Sequence, residues 1–311
     1  MTEKPEAYPS EAREGYAMGS SPKTLERLKH LTATGALPPG SSICDIGATQ
    51  LFGDKDQQAS RAFLSFYADR FPGAKRPEDV PPEALQKIAD NGFLGDLLLL
   101  AGFQYKALDI FHATNTILFD LNIHEPGPGL IEQFDLVINL GTTEHVFNQL
   151  RAFQTIHTLT KINGVCYHDL PMAGYLNHAL YRYDPLFFST VLPANRYALL
   201  LQEVTLGAEH AVPDALKTMG YRNATFTDVG VEVVYRRTSS DPFRVPMETS
   251  TSLSIDPAFE KIVQSDLVRM PTNADVHYGT SLSFDSVSFV DLTRVWISRL
   301  TQGVRRRISP R

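Results

Sequence analysis

Apolar positions recur along this chain at two spacings that alternate. Across residues 21–37 leucines fall three apart at Leu25, Leu28 and Leu31, with Ser21 and Pro22 as a start signal and Gly35 as a stop, which predicts a helix. Pro38, Pro39 and Gly40 then turn the chain into a short strand, Ser42-Ile43-Cys44-Asp45-Ile46, that ends at Gly47. Ala59, Ala62, Phe63, Phe66 and Tyr67 return to helical spacing until Phe71-Pro72-Gly73 breaks it, and Pro81 and Pro82 open a second helix predicted to run to Ala101. Strands are expected at 105–110, 116–121 and 134–140; the last is an uninterrupted apolar run of the kind buried on both faces of a parallel sheet. Leu150, Phe153, Ile156 and His157 mark a helix that Asn163-Gly164 ends before a strand at 165–169. Strands at 197–206 and 229–237 flank a helix at 212–219. Residues 238–311 are less regular, with alternation over 281–290 and a terminal helix carrying Val295, Trp296 and Leu300. Strand alternating with helix through at least five strands predicts an open, mostly parallel sheet with helices on both faces.

The spacing is unusual at one place. A strand–helix–strand unit brings its second strand about 20 to 30 residues after the turn that follows the first. Here the next strand lies beyond residue 104, so residues 54–82 read as an insertion at the mouth of the site, with Phe63, Phe66 and Tyr67 as a helix face that acts as a lid over it. The expected organisation is an N-terminal arm and helix (1–39), an α/β domain (40–237) and a C-terminal extension (238–311).

With 311 residues the chain can hold one large domain with additions or two small ones. At 43% hydrophobic and 21% charged it has globular composition. No apolar run approaches the roughly 20 residues that cross a bilayer. The start, with Glu3, Glu6, Glu11 and Glu14, lacks the pattern of a signal peptide, so a cytoplasmic protein without a membrane partner is expected. A net charge of −6 provides no overall field for nucleic acid, and Arg305, Arg306, Arg307 and Arg311 read as a solvated tail. Cys44 and Cys166 fall on strands expected to have another between them, a separation of about 9 to 10 Å, which is beyond the reach of a disulfide.

The turn after the first strand is the candidate site. Gly47 and Gly53 allow backbone to approach a ligand, although the Gly-x-Gly-x-x-Gly of a dinucleotide site is absent. An ordinary buried strand followed by a loop would look alike. Taken together, Asp45-Ile46-Gly47, Asp109 after the second strand, Asp120 after the third, and Phe134-Asp135-Leu136-Val137 continuing to Glu144-His145-Val146 make residues 40–237 resemble a class I S-adenosylmethionine-dependent methyltransferase. The resemblance implies a Rossmann-like, doubly wound, mostly parallel seven-stranded sheet and S-adenosyl-L-methionine as cofactor. It implies cofactor contacts from Asp45, Gly47, Thr49, Asp109, Asp120, Leu121, Gly141 and Thr142, with Asp109 accepting from the ribose hydroxyls. Beside Asp120, Asn122 offers the same hydrogen bonds. The chain departs from the family in having Ala48, Thr49, Gln50, Leu51 and Phe52, and no further glycine, between Gly47 and Gly53.

Methyl transfer needs alignment and, for a hydroxyl acceptor, a base. Histidine suits that task near neutral pH. His145 and His178 are the candidates, and His168 has a competing reading as a core residue. The stretch from 175 to 188, with Asn177, Tyr181, Tyr183, Phe187 and Phe188, is expected to line a pocket for a small-molecule acceptor such as a sugar or natural-product scaffold. No metal is expected, because Glu144-His145 and His168-Asp169 are adjacent pairs, and neighbours on a strand point to opposite faces. A homodimer is compatible with the sequence. Competing functions are a nicotinamide-dependent oxidoreductase and a non-catalytic binding protein on the same scaffold.

Overall fold

Helix α1 (Pro22–Ala33) starts where its signals predict. Pro22 stands at the first helical position, the Ser21 N–H donates to Thr24 Oγ1 at 3.1 Å, and Leu25, Leu28 and Leu31 form the buried face. Each such leucine contributes about 1.5 to 3 kcal/mol by leaving water. The computed structural model describes residues 19–90, 92–211, 225–247 and 267–269, all within one compact unit.

After α1 come β1 (Ser42–Ile46), α2 (Gln58–Ala68), α3 (Pro82–Ala89), α4 (Leu94–Leu100), β2 (Gln104–Asp109), β3 (Thr116–Leu118) and β4 (Phe134–Leu140). Then follow α5 (Gln149–Leu159), β5 (Thr160–Ala173), α6 (Pro185–Ala194), β6 (Tyr197–Ala211) and β7 (Thr225–Arg237). A separate parallel pair joins β8 (Val245–Met247) to β9 (Leu267–Arg269).

Seven strands form one sheet in the order β3-β2-β1-β4-β5-β7-β6. The first five in that order are parallel, and β7 runs antiparallel to both β5 and β6. This is the doubly wound α/β sheet that the alternation implied. Strand order reverses between β1 and β4, which is where such sheets open a crevice at their carboxyl ends.

Each face has its own core. Leu25, Phe63, Tyr67 and Leu97 from α1, α2 and α4 pack on Ile43, Leu136 and Val165, while Phe153, Ile156 and Phe188 from α5 and α6 pack on Cys44, Ile46 and Val137. β4 lies between β1 and β5, and Cys44 and Cys166 are buried free thiols. Across the sheet, the fully buried Glu232 of β7 pairs with Arg27 at 2.6 Å and Lys23 at 2.7 Å, which fastens α1. No helix among the described residues is long and apolar enough to cross a membrane.

Three expectations need correction. The single helix predicted to reach Ala101 is two: α3 ends at Ala89 and α4 starts at Leu94. The aromatic face of 54–82 is part of the core: the Tyr67 ring packs tilted against Phe63 and edge-on against Phe103, and its hydroxyl donates to the Leu28 carbonyl at 3.1 Å. It therefore covers the sheet and not the crevice. β6 and β7 run longer than predicted because their antiparallel pairing continues to Ala211↔Thr225. The arm over 1–18, the helix at 212–219, the elements at 281–290 and around Val295, Trp296 and Leu300, and the terminal arginines lie outside the described residues.

Candidate functional site

β1 ends on Asp45-Ile46-Gly47. Gly47 has φ +89°, and a Cβ there would stand 2.2 Å from Thr142 Oγ1, so only glycine lets the turns after β1 and β4 come this close. Its N–H donates to the Leu108 carbonyl at 2.8 Å. Beyond Gly47 the turn is shaped by hydrogen bonds, not glycines. The buried Asp45 carboxylate accepts from Thr49 N (3.0 Å), Thr49 Oγ1 (2.8 Å) and the Tyr105 hydroxyl (2.9 Å). Burial pushes Asp45 up to about 7, against the lowering effect of these donors. Residues 49–52 are then held from two sides. Ser20 N donates to Gln50 O (3.0 Å) and Phe52 N to Ser20 O (2.9 Å), while Leu51 N donates to Gly92 O (2.8 Å) and Leu94 N to Thr49 O (2.9 Å). These pairings hold Gly92, which follows the end of α3, and Leu94, which starts α4, against the turn.

At the carboxyl ends of β1, β2 and β4 lies a crevice of about 610 Å³, within the usual range for small-molecule sites. Gly47, Thr49, Asp109, Asp120, Leu121, Gly141, Thr142 and His145 all line it. Asp109 is aimed by two backbone donors, Ala48 N to Oδ2 (2.7 Å) and Phe111 N to Oδ1 (3.1 Å). Asp120 Oδ1 accepts from Asn122 N (2.8 Å) and Nδ2 (3.0 Å), which hold its carboxyl below the usual range. Between these acids Leu108, Phe119 and Leu121 give an apolar wall, and Phe111 is 69% exposed beside it.

Sequence reasoning missed Gly19, Phe52, Phe93, Phe111 and His112 in the lining. Phe111 and His112 were within reach, since they lie two and three residues after the acid that ends β2. Phe52 and Phe93 arrive through pairing between distant segments, for which the local pattern carries no signal.

Asp45 is not in the wall, since its three hydrogen bonds face inward, and the Thr49 hydroxyl is occupied by Asp45. The predicted acceptor loop is also corrected. The buried Tyr183 hydroxyl donates to Gln149 Oε1 (2.6 Å) and lies 2.9 Å from the Thr143 hydroxyl, which can donate to it, and the Tyr181 hydroxyl donates to the Phe147 carbonyl (2.9 Å). Asn177 is an exposed turn residue at φ +58°, and Phe188 is fully buried on α6. The two tyrosines fasten the loop to the segment between β4 and α5 and to the start of α5, and none of these four residues lines the crevice. His168 is a core residue between Asn139 Nδ2 (3.0 Å) and the Tyr235 hydroxyl (3.1 Å), and burial pushes it down to about 3, so it stays neutral.

The two candidate bases do meet. Thr143–His145 is a single 3-10 turn, pinned where Asn139 Nδ2 donates to Thr143 Oγ1 at 2.8 Å. It turns Glu144 inward, fully buried, and leaves His145 half exposed in the crevice wall. Glu144 and His145 therefore sit on a helical turn and not on a strand whose neighbours would alternate between faces. His178 comes from the loop after β5, its ring edge-on to His145 at 5.1 Å. Burial pushes Glu144 up to about 8, opposed by its own backbone amide and the Arg182 charge and reinforced by Asp169. Burial, with Arg182 second, lowers His145.

No protein-family model and no curated protein matches the chain. Solved structures do. The 1,6-didemethyltoxoflavin-N1-methyltransferase of Burkholderia thailandensis, with bound 1,6-didemethyltoxoflavin and S-adenosylhomocysteine, is 11% identical, with 69% of this chain and 78% of that one covered and a TM-score of 0.37. A putative methyltransferase from Bacillus halodurans is 8% identical over 70% of this chain and 100% of its own, at 0.38. A putative sarcosine dimethylglycine methyltransferase from Galdieria sulphuraria is 13% identical over 70% and 86%, at 0.32. Overlaps this partial, at identities this low, say nothing about substrate or chemistry.

Proposed function

We propose that the crevice binds S-adenosyl-L-methionine and that the chain transfers its methyl group to a small-molecule acceptor, a hydroxyl on a sugar or natural-product scaffold. The observation that carries this reading is Asp109: a carboxylate at the end of β2, in the wall beside Gly47, aimed by the Ala48 and Phe111 amides. Each of its oxygens accepts one N–H, which leaves lone pairs for two ribose hydroxyls. The fit extends along the crevice. Leu108, Phe119 and Leu121 suit the flat face of an adenine, with Asp120 at its edge, and the missing Cβ of Gly47 makes room against Thr142.

When bound, the cofactor supplies a methyl group on a positively charged sulfur. The task of the chain is to bind, orient and exclude water. Gly141 and Thr142 border the end of the crevice nearest His145, where the acceptor hydroxyl would lie against the Glu144, His145 and His178 group.

Calorimetric titration with S-adenosylhomocysteine, S-adenosylmethionine and NAD⁺ tests the reading. The adenosyl compounds should bind one per chain, and Asp109→Ala should weaken them by about 1.5 to 3 kcal/mol, roughly 10- to 150-fold, as for a charge-assisted hydrogen bond. Binding of NAD⁺ with no binding of either adenosyl compound would overturn it in favour of a nicotinamide site.

A further inference from the structure

The loop that carries His178 is fastened so as to present that ring to Glu144. The Glu144 carbonyl accepts from Leu180 N (3.0 Å) and Tyr181 N (3.1 Å). Tyr175 N donates to Asp228 Oδ1 (2.5 Å), and the Arg182 guanidinium donates to the carbonyls of Gly174, Tyr175, Ala179 and Tyr181. The outcome is a group of three: Glu144 Oε1 lies 4.0 Å from His145 Nε2 and 3.9 Å from His178 Nε2. One potential ligand atom from each residue lies within 4.8 Å of the others. These separations are too long for hydrogen bonds. Bonds of about 2.0 to 2.2 Å at tetrahedral angles hold ligand atoms roughly 3.4 Å apart, so the two Glu–His pairs close by about half an ångström and the group as a whole, within 4.8 Å, by up to about 1.4 Å to share an ion.

Glu144 adds an independent observation. It is 0% exposed, and beyond the weak interaction with its own backbone amide neither carboxylate oxygen has a hydrogen-bond partner among the described residues. Buried polar atoms are almost always paired, and one that is not calls for an ion, a water or another explanation.

We propose that Glu144, His145 and His178 bind one divalent first-row transition ion at the acceptor end of the crevice. Two imidazoles and one carboxylate suit zinc, iron(II), manganese or nickel, and three protein ligands leave positions open. His145 is the ligand in the crevice wall, so the open positions border the crevice. There they take an oxygen of the acceptor, and the two histidines serve as ligands and not as the base. This last step rests on the methyltransferase reading, whereas the ion site does not. Arg182, whose charge reaches both Glu144 and His145, works against binding of the ion.

The test uses the full chain, free of affinity tag, stripped with chelator and titrated with Co²⁺, Zn²⁺, Mn²⁺ and Fe²⁺ while binding of S-adenosylhomocysteine is measured in parallel. One equivalent of at least one ion should bind, and Glu144→Gln, His145→Ala and His178→Ala should each weaken it by about 100-fold or more. Paramagnetic NMR of the wild-type Co²⁺ form should show two shifted imidazole signals, a readout that does not depend on any variant folding. Failure of all four ions to bind, equal binding by the variants, or the absence of shifted imidazole signals overturns the site. Ion binding without S-adenosylhomocysteine binding would retain the site and sink the cofactor reading; the reverse would do the opposite.

Discussion

Gly47→Ala tests how closely the turns after β1 and β4 approach each other. An alanine there would hold φ near +89° and place its Cβ 2.2 Å from Thr142 Oγ1 and 3.1 Å from Thr142 Cβ and Cγ2. The left-handed backbone costs about 1 to 2 kcal/mol and overpacking about 1 to 3, so a loss near 3 kcal/mol is expected. For a chain of this size that lowers Tm by about 6 to 12 °C. Thr142→Ala removes Oγ1 and Cγ2 but leaves Cβ, so in that background Gly47→Ala should cost about 1 to 2 kcal/mol less. The assay is denaturant unfolding of the four members of the cycle, which isolates the pairwise energy. Strict additivity would refute the reasoning, because it would mean that the two turns do not touch or that the contact is relieved elsewhere.

Arg27→Met should cost about 3 kcal/mol, because it leaves the buried Glu232 with Lys23 alone, whereas Lys29→Met in the surface pair with Glu26 should cost under about 0.5; urea midpoints compare them. Burial pushes Glu232 up, but the hydrogen bonds from Arg27 and Lys23 outweigh it and hold the carboxyl below its usual range. Its contribution is therefore present above the unfolded pKa and lost as pH falls through the folded one. His168, lowered by burial to about 3, binds its proton only when unfolded across the interval from about 6.5 down to 3, so stability falls as pH falls through that window. Between pH 7 and 5 the wild type should lose about 2 kcal/mol more than His168→Gln, and equal losses in urea titrations at the two pH values would contradict the assignment.

Strand and helix identity was legible because it depends on local periodicity. The run at β4 is buried on both faces, and Leu25, Leu28 and Leu31 read directly as the inner face of α1. The crevice-lining positions at strand ends, Gly47, Asp109 and Gly141, were legible because in a doubly wound sheet the end of a strand is already a location. What could not be read was the destination of side chains in loops. Tyr183 and Tyr181 look like ligand contacts in sequence, yet their hydroxyls bond to residues 34 to 40 positions away. The split of α3 from α4 was equally hidden, since its cause is pairing of Gly92 and Leu94 with the turn after β1.

That turn has a consequence for how a ligand is received. Beyond Gly47 its shape is imposed by Ser20, Tyr105 and Asp109, which lie 30, 60 and 61 residues from Gln50, Asp45 and Ala48, and not by further glycines that would leave it loose. The ordering entropy of the segment is thus met during folding, when the three distant parts assemble, and little of it remains to be lost at binding. Association should resemble the filling of a ready mould, with amide exchange across residues 48–52 already slow in the free protein.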